Sequence, residues 1–229
     1  LGARVEFMSW DEIRRGFGNW GIRSMAPAYG RRGAITDDTQ MMLFTAEGLL
    51  RAFVRQADTG SCHVPAVIHH ALQRWLVTQG VEPALSPCRD GWLIRQKELW
   101  SRRAPGNTCL SALIDSAEFG EHAVNDSKGC GGVMRVAPCA FLFNAFEVAS
   151  ESARLTHGHP TGYLAAGLFA DILNRLWRNI QLDDATVIAL QAHGGKPGME
   201  ETRRLIEYVL RLHQQGVRPN PERIADLGG

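Results

Sequence analysis

Apolar residues in this chain recur every three or four positions, and convincing alternation in twos is absent. A period near 3.6 lays side chains along one face of an α-helix, whereas a half-buried strand needs a period of two. From Thr36 to about Gln56, the residues Met42, Ala46, Leu49, Leu50 and Phe53 fall on one stripe. From Val64 to about Thr78, Val67, Ile68, Ala71, Leu72 and Trp75 repeat the pattern until Gly80 stops it. "TCLSALIDS", residues 108–116, predicts a short helix for which Asn107 or Thr108 is the candidate cap. After Pro138 the chain is apolar and then amphipathic. Pro160 suits the first turn of a helix, where its missing N–H is not needed, with Tyr163, Leu164, Gly167, Leu168, Ile172 and Leu176 facing inward. Asp183-Asp184 starts another helix that ends near Gly194, and residues 199–216 place Leu205, Val209 and Leu212 inward. The expected fold is therefore all-α, a many-helix domain without short repeats. Three irregular stretches, 8–35, 81–107 and 120–133, are long for a helical domain. Loops of that length usually do something, so the chemistry is expected there.

Charge narrows the function classes. The 25 basic and 24 acidic residues leave a formal charge of +1, which indicates neither a nucleic-acid surface nor a membrane-binding face. Apolar residues make up 45% of the chain, enough for a sizeable core. No apolar run approaches the roughly 20 residues of a membrane span, and the opening residues do not read as a signal peptide. The five cysteines, Cys62, Cys88, Cys109, Cys130 and Cys139, form no C-x-x-C pair. That points away from a disulfide framework or zinc site and towards the cytoplasm.

Four clusters carry candidate chemistry. In "AITDDTQMM", residues 34–42, Thr36 can cap a helix whose first turn holds Asp37 and Asp38. The same three residues can also offer oxygens to a hard cation such as Mg2+. In "SKGCGGVMRVAP", residues 127–138, Gly129, Gly131 and Gly132 permit close backbone approach and left-handed conformations. Such a loop can present N–H groups to phosphate, or simply form a tight turn over a buried Met134. Cys130 within it reads as a spectator, since no base is fixed beside it by sequence. "LTHGHP", residues 155–160, puts His157 and His159 two apart, a spacing that does not place two ligands on one helix face. One of them pointing into a cleft and both capping at the surface remain alternatives. "RRAPGNTC", residues 102–109, reads as a solvated turn or as a basic pair beside a phosphate site. His69 and His70 read as surface or edge residues of their helix.

The order of these segments is distinctive. "VEFMSWDEIRRGFG", "ITDDTQMM", "RRAPGNT", "SKGCGGVMRVAP" and "LTHGHPTGYLAAG", in that sequence, resemble the ADP-ribosylglycohydrolase (DraG-like) family over nearly the whole chain. The resemblance implies an all-α domain with a pair of divalent ions, usually Mg2+ or Mn2+, in a central cleft. It implies metal oxygens from Thr36, Asp37 and Asp38, the two aspartates also serving catalysis, and a carboxylate near the scissile bond from Glu6. It implies contacts to the diphosphate and ribose from Ser127, Gly129, Gly131, Gly132 and Met134, and a cleft-lining role for His157. Cys130 stands where many members have Asn, which departs from the pattern. The implied activity is hydrolysis of the glycosidic bond between ADP-ribose and a protein side chain or a small conjugate. A non-catalytic ADP-ribose-binding module and a structural, crystallin-like member are the alternatives. The family's first helix and its C-terminal Asp-x-Asp-Ser/Thr segment have no counterpart within residues 1–229, so the expected metal set is half complete, with weak stability and an inactive chain expected.

Overall fold

The structure is a computed structural model that describes residues 1–85, 89–225 and 227. Cys88 and the closing Gly228-Gly229 lie outside the described residues. Helices dominate, as the periodicity predicts: α1 Trp10–Phe17, α2 Asp37–Thr59, α3 Val64–Thr78, α4 Asn107–Asp115, α5 Ala145–Arg154, α6 Pro160–Trp177, α7 Leu182–His193, α8 Glu200–Gln214 and α9 Pro221–Ala225. A two-stranded antiparallel hairpin, β1 Pro27–Ala28 with β2 Arg31–Arg32, is the only sheet among the described residues. No described helix is long and apolar enough to cross a membrane.

The chain divides into two compact units, residues 1–36 with 211–229, and residues 37–210. In the first unit, α1 breaks the stretch expected to be irregular. Ser9 caps it by accepting from Glu12 N at 3.3 Å, and Glu12 Oε2 accepts from Ser9 N at 2.7 Å. That reciprocal pair is a capping box, readable as Ser-x-x-Glu in the sequence and missed there.

The second unit holds the main core. α2 packs on α3, and α5 on α6, through glycines that let backbones approach. A Cβ at Gly48 would lie 2.9 Å from Ile68 Cα, and one at Gly167 would lie 2.7 Å from Phe146 O. Phe146, Leu164, Leu168, Ala189 and Met199 form one buried cluster across α5, α6, α7 and the start of α8. A polar knot ties α2 to α3 and the 97–101 turn. Gln40 Oε1 accepts from Trp75 Nε1 at 3.2 Å, and Gln40 Nε2 donates to Ser101 O at 3.1 Å.

Several expected faces turn out differently. On α2 the buried side is Asp37, Gln40, Met41, Phe44, Thr45, Gly48, Leu49 and Ala52, while Leu50 and Phe53 are exposed. This helix is apolar on two sides, and α3 takes the side with the small residue at the crossing. The predicted stripe instead lines an apolar groove of about 810 Å³ with Phe141 and Trp177. On α8 only Thr202 is buried, and Val209 is exposed. His69 is fully buried, not at the surface, because Gly120 N donates to its Nδ1 at 2.9 Å.

Candidate functional site

α2 begins at Asp37, directly after Thr36. Both residues are buried, whereas Asp38 is exposed. Burial raises the Asp37 carboxyl above its ordinary value, a larger effect than the opposing hydrogen bond from Gly106. That bond runs from Gly106 N to Asp37 Oδ2 at 3.2 Å, and Asp37 N donates to Arg103 O at 3.1 Å. So an acidic residue of α2 faces the N-terminus of α4, where negative charge is favoured. Gly106, and neither Asn107 nor Thr108, occupies the cap position of α4, and no α4 side chain makes a cap bond. Arg103 is buried, which removes the solvated-turn reading at that residue.

The first turn of α4 then reaches the glycine-rich loop. Thr108 Oγ1 lies 3.3 Å from Ser127 Oγ. Cys109 is buried against Gly131, where a Cβ would sit 2.7 Å from the Cys109 sulfur and 2.8 Å from His157 Cε1. A Cβ at Gly132 would lie 2.8 Å from Ala153 Cβ, and one at Gly162 would lie 2.6 Å from Ser127 O. None of Gly129, Gly131 and Gly132 has a positive φ. Gly131 and Gly132 are therefore needed for close approach and not for left-handed turns, while a Cβ at Gly129 would meet only ordinary contacts from 3.4 Å, which corrects half of the sequence expectation. Met134 is half-buried rather than fully buried. Cys130 is exposed on the loop.

Beneath the loop lies Arg135, wholly buried. Its Nη1 donates to Gly131 O at 2.7 Å, and its Nη2 to Ser152 O at 2.7 Å and to Thr156 Oγ1 at 2.8 Å. Among the described residues no carboxylate is a partner of Arg135, and burial lowers its pKa. His157, 1% exposed, sits beside it with Nδ1 2.8 Å from Thr156 Oγ1. Burial first, and then the Arg135 charge, push the imidazole down to about 4, so it is neutral at physiological pH. His159 has a separate job: its Nδ1 accepts from Thr161 N at 3.0 Å and caps α6. The two histidines thus split the alternatives that sequence left open.

The loop is stitched down on both sides. Asn125 Oδ1 accepts from Ser127 N and Gly158 N, each at 3.1 Å. Lys128 Nζ and Thr161 Oγ1 both donate to Glu201 Oε2, at 2.7 and 2.8 Å. Of the residues singled out in the sequence, the second unit brings Asp37, Ser127, Gly129, Gly131, Gly132 and His157 around the start of α4. Thr36 and Glu6 belong to the first unit, Glu6 exposed in a turn. The sequence reading has 102–109 as a turn or as a basic pair beside a phosphate site, with Thr108 a candidate cap, and gives no role to Gly106, Cys109, Arg135 or Thr156. Arg135 carries a signal, as a cation following the glycine-rich stretch. Among the described residues, no group of three or more His, Cys, Asp and Glu is placed to hold a metal.

Fold and site together define an all-α protein with a buried acidic helix start set against a tightly packed glycine loop. The family model for ADP-ribosylglycohydrolase matches residues 1–229, and the chain belongs to that family. Membership indicates hydrolase activity of the ADP-ribosylglycohydrolase type. No curated protein and no solved structure matches the chain.

Proposed function

We propose that this protein is a metal-dependent hydrolase of the glycosidic bond that joins ADP-ribose to a protein side chain or a related small conjugate. The observation that carries the reading is the first turn of α4, which links Asp37 through Gly106 and the glycine loop through Thr108 and Cys109. That both meet one helix start supports a carboxylate acting beside a bound diphosphate.

The consecutive residues Thr36, Asp37 and Asp38 would hold the cation. They fit it in kind: a hard divalent ion takes oxygen ligands, and Mg2+ is commonly held by one or two carboxylates with waters and substrate oxygens for the rest. The burial of Asp37 adds to the fit, because a desolvated carboxylate gains from a neighbouring positive charge. When bound, Mg2+ or Mn2+ would act as a Lewis acid towards ribose hydroxyls and water.

The chain's own groups do the rest. Backbone N–H groups of residues 130–132 bind the diphosphate, and Ser127, whose Oγ accepts from Gly129 N at 3.3 Å, adds a hydroxyl. The buried Arg135 cation behind the loop favours an anion in front of it. Cleavage builds positive charge on the ribose, which a nearby carboxylate steadies. Glu6 and Asp38, the exposed candidates, are assigned that role and the proton transfer from water.

The test uses the chain extended by the family's C-terminal Asp-x-Asp-Ser/Thr segment, since residues 1–229 alone are expected to hold only half of the metal set, with arginine-linked and serine-linked ADP-ribosyl peptides, with Mg2+ and with a chelator, reading free ADP-ribose. Release that needs the metal and falls in Asp38→Asn is the expected result. Binding of ADP-ribose without release would favour the non-catalytic module. Neither binding nor release would overturn the proposal. Undiminished turnover in Glu6→Gln would remove Glu6 from the mechanism.

A further inference from the structure

Arg135 is an unusual buried cation. It is fully buried, and among the described residues its charge is met only by three backbone carbonyls, the Thr156 hydroxyl and the Cys109 sulfur at 3.9 Å. Its Nε has no hydrogen-bond partner among them. Burying an uncompensated charge is costly, so what it organises matters.

The geometry fixes a direction of hydrogen bonding. A guanidinium only donates, so Thr156 Oγ1 accepts from Arg135 Nη2 at 2.8 Å. The hydroxyl proton then has His157 Nδ1 at 2.8 Å or Ala153 O at 3.3 Å as its strong acceptors, with the Cys109 sulfur, a weak acceptor, also beside it. The first is shorter, and a hydroxyl that accepts from a cation is polarised into a better donor. With Nδ1 accepting, the neutral imidazole must carry its proton on Nε2. That Nε2 edge lies under the loop: a Cβ at Gly129 would be 3.4 Å from it, and one at Gly131 would be 3.2 Å. Among the described residues Nε2 makes no hydrogen bond, although the side chain is 1% exposed.

We propose that Arg135 is a positioning residue that acts through Thr156 to lock His157 as the Nε2–H tautomer, a fixed N–H donor for a phosphate or hydroxyl oxygen of the ligand held at the glycine loop. The ligand half rests on the ADP-ribose reading above; the tautomer half does not. The donor stays a donor across physiological pH because burial and the adjacent guanidinium oppose protonation. The ionisable groups packed there are Arg135 and Cys109, and burial raises the Cys109 thiol. Neither therefore supplies the negative charge that would draw a second proton onto the ring.

The test is a long-range proton–nitrogen spectrum of the histidines in the full chain, with His157 assigned by its loss in His157→Gln. The expected result is the Nε2–H tautomer in wild type and in Thr156→Ser, with a tautomer mixture in Thr156→Val. In parallel, ADP-ribose affinity should fall about tenfold in Thr156→Val, the weight of one hydrogen bond, and be restored in Thr156→Ser. Wild-type His157 carrying its proton on Nδ1, or protonated near neutrality, would overturn the proposal. So would an unchanged, pure Nε2–H signal in Thr156→Val. No ADP-ribose binding to wild type would sink the functional reading and the ligand half, while the nitrogen spectrum still decides the tautomer.

Discussion

Lowering the pH should unfold this protein well before its carboxylates titrate, because two histidines are buried in the neutral form. His69 and His157 both move from 6.5 to about 4, with burial the largest cause in each. An unfolded imidazole takes up a proton below about 6.5, whereas the folded one resists until about 4. Their contribution is thus fully present above pH 6.5, declines as the pH falls towards 4, and is flat below that. At 1.36 kcal/mol for each pH unit of separation, each histidine loses about 3 kcal/mol across the window. The pair together, about 6–7 kcal/mol, exceeds the lower end of the roughly 5–15 kcal/mol that holds a domain folded. His193 is shifted in the same direction by burial and adds a smaller slope. Asp37, whose carboxyl is raised, opposes it near the acid end. The assay is urea unfolding followed by circular dichroism at about pH 7.5, 6.5, 5.5 and 4.5. The midpoint should hold between the first two and then fall steeply. His69→Gln with His157→Gln should start lower and lose most of the slope. A flat midpoint down to pH 4.5, or a double variant with the wild-type slope, would refute the reasoning.

Two further outcomes follow from the site's packing. Gly131→Ala drives a methyl to within 2.7 Å of the Cys109 sulfur and 2.8 Å of His157, so it should cost about 1–3 kcal/mol. In a chain of this size that lowers the melting temperature by about 2–4 °C per kcal/mol. Gly129→Ala meets only contacts of 3.4 Å and beyond, so a scanning melt should find it near wild type. Asp37→Asn removes a desolvated charge while keeping an oxygen for Gly106 N–H. Stability should therefore hold or rise at neutral pH while the heat of Mg2+ binding disappears in calorimetry.

The helices were legible because their spacing is local information. The start and end of α3 and the opening of α6 at Pro160 lie where the sequence puts them. The buried face of α2 was not legible, since both of its sides are apolar and the choice depends on α3 finding Gly48. Gln40 and Thr45 are buried on the chosen side, against their own polarity. The glycine loop was found, but its reason was not: close approach by Cys109, His157 and Ala153 replaces the expected left-handed backbone. The link from Asp37 to Gly106 spans 69 residues, and no local pattern announces it. The bond between Arg135 and Thr156 was invisible for the same reason, the two being 21 residues apart and joined only in space.

The stitching of the glycine loop has a consequence for how a ligand is captured. Asn125, Lys128, Thr161 and Glu201 tie the segment 125–131 to its surroundings through the protein's own hydrogen bonds. An untethered loop of that length would have to freeze its backbone on encounter, at about 1–2 kcal/mol for each residue ordered. Here that loss of freedom occurs when the chain folds. A ligand bound at this loop, as proposed, would meet a mould already set, and little of its contact energy would be diverted into shaping the receptor.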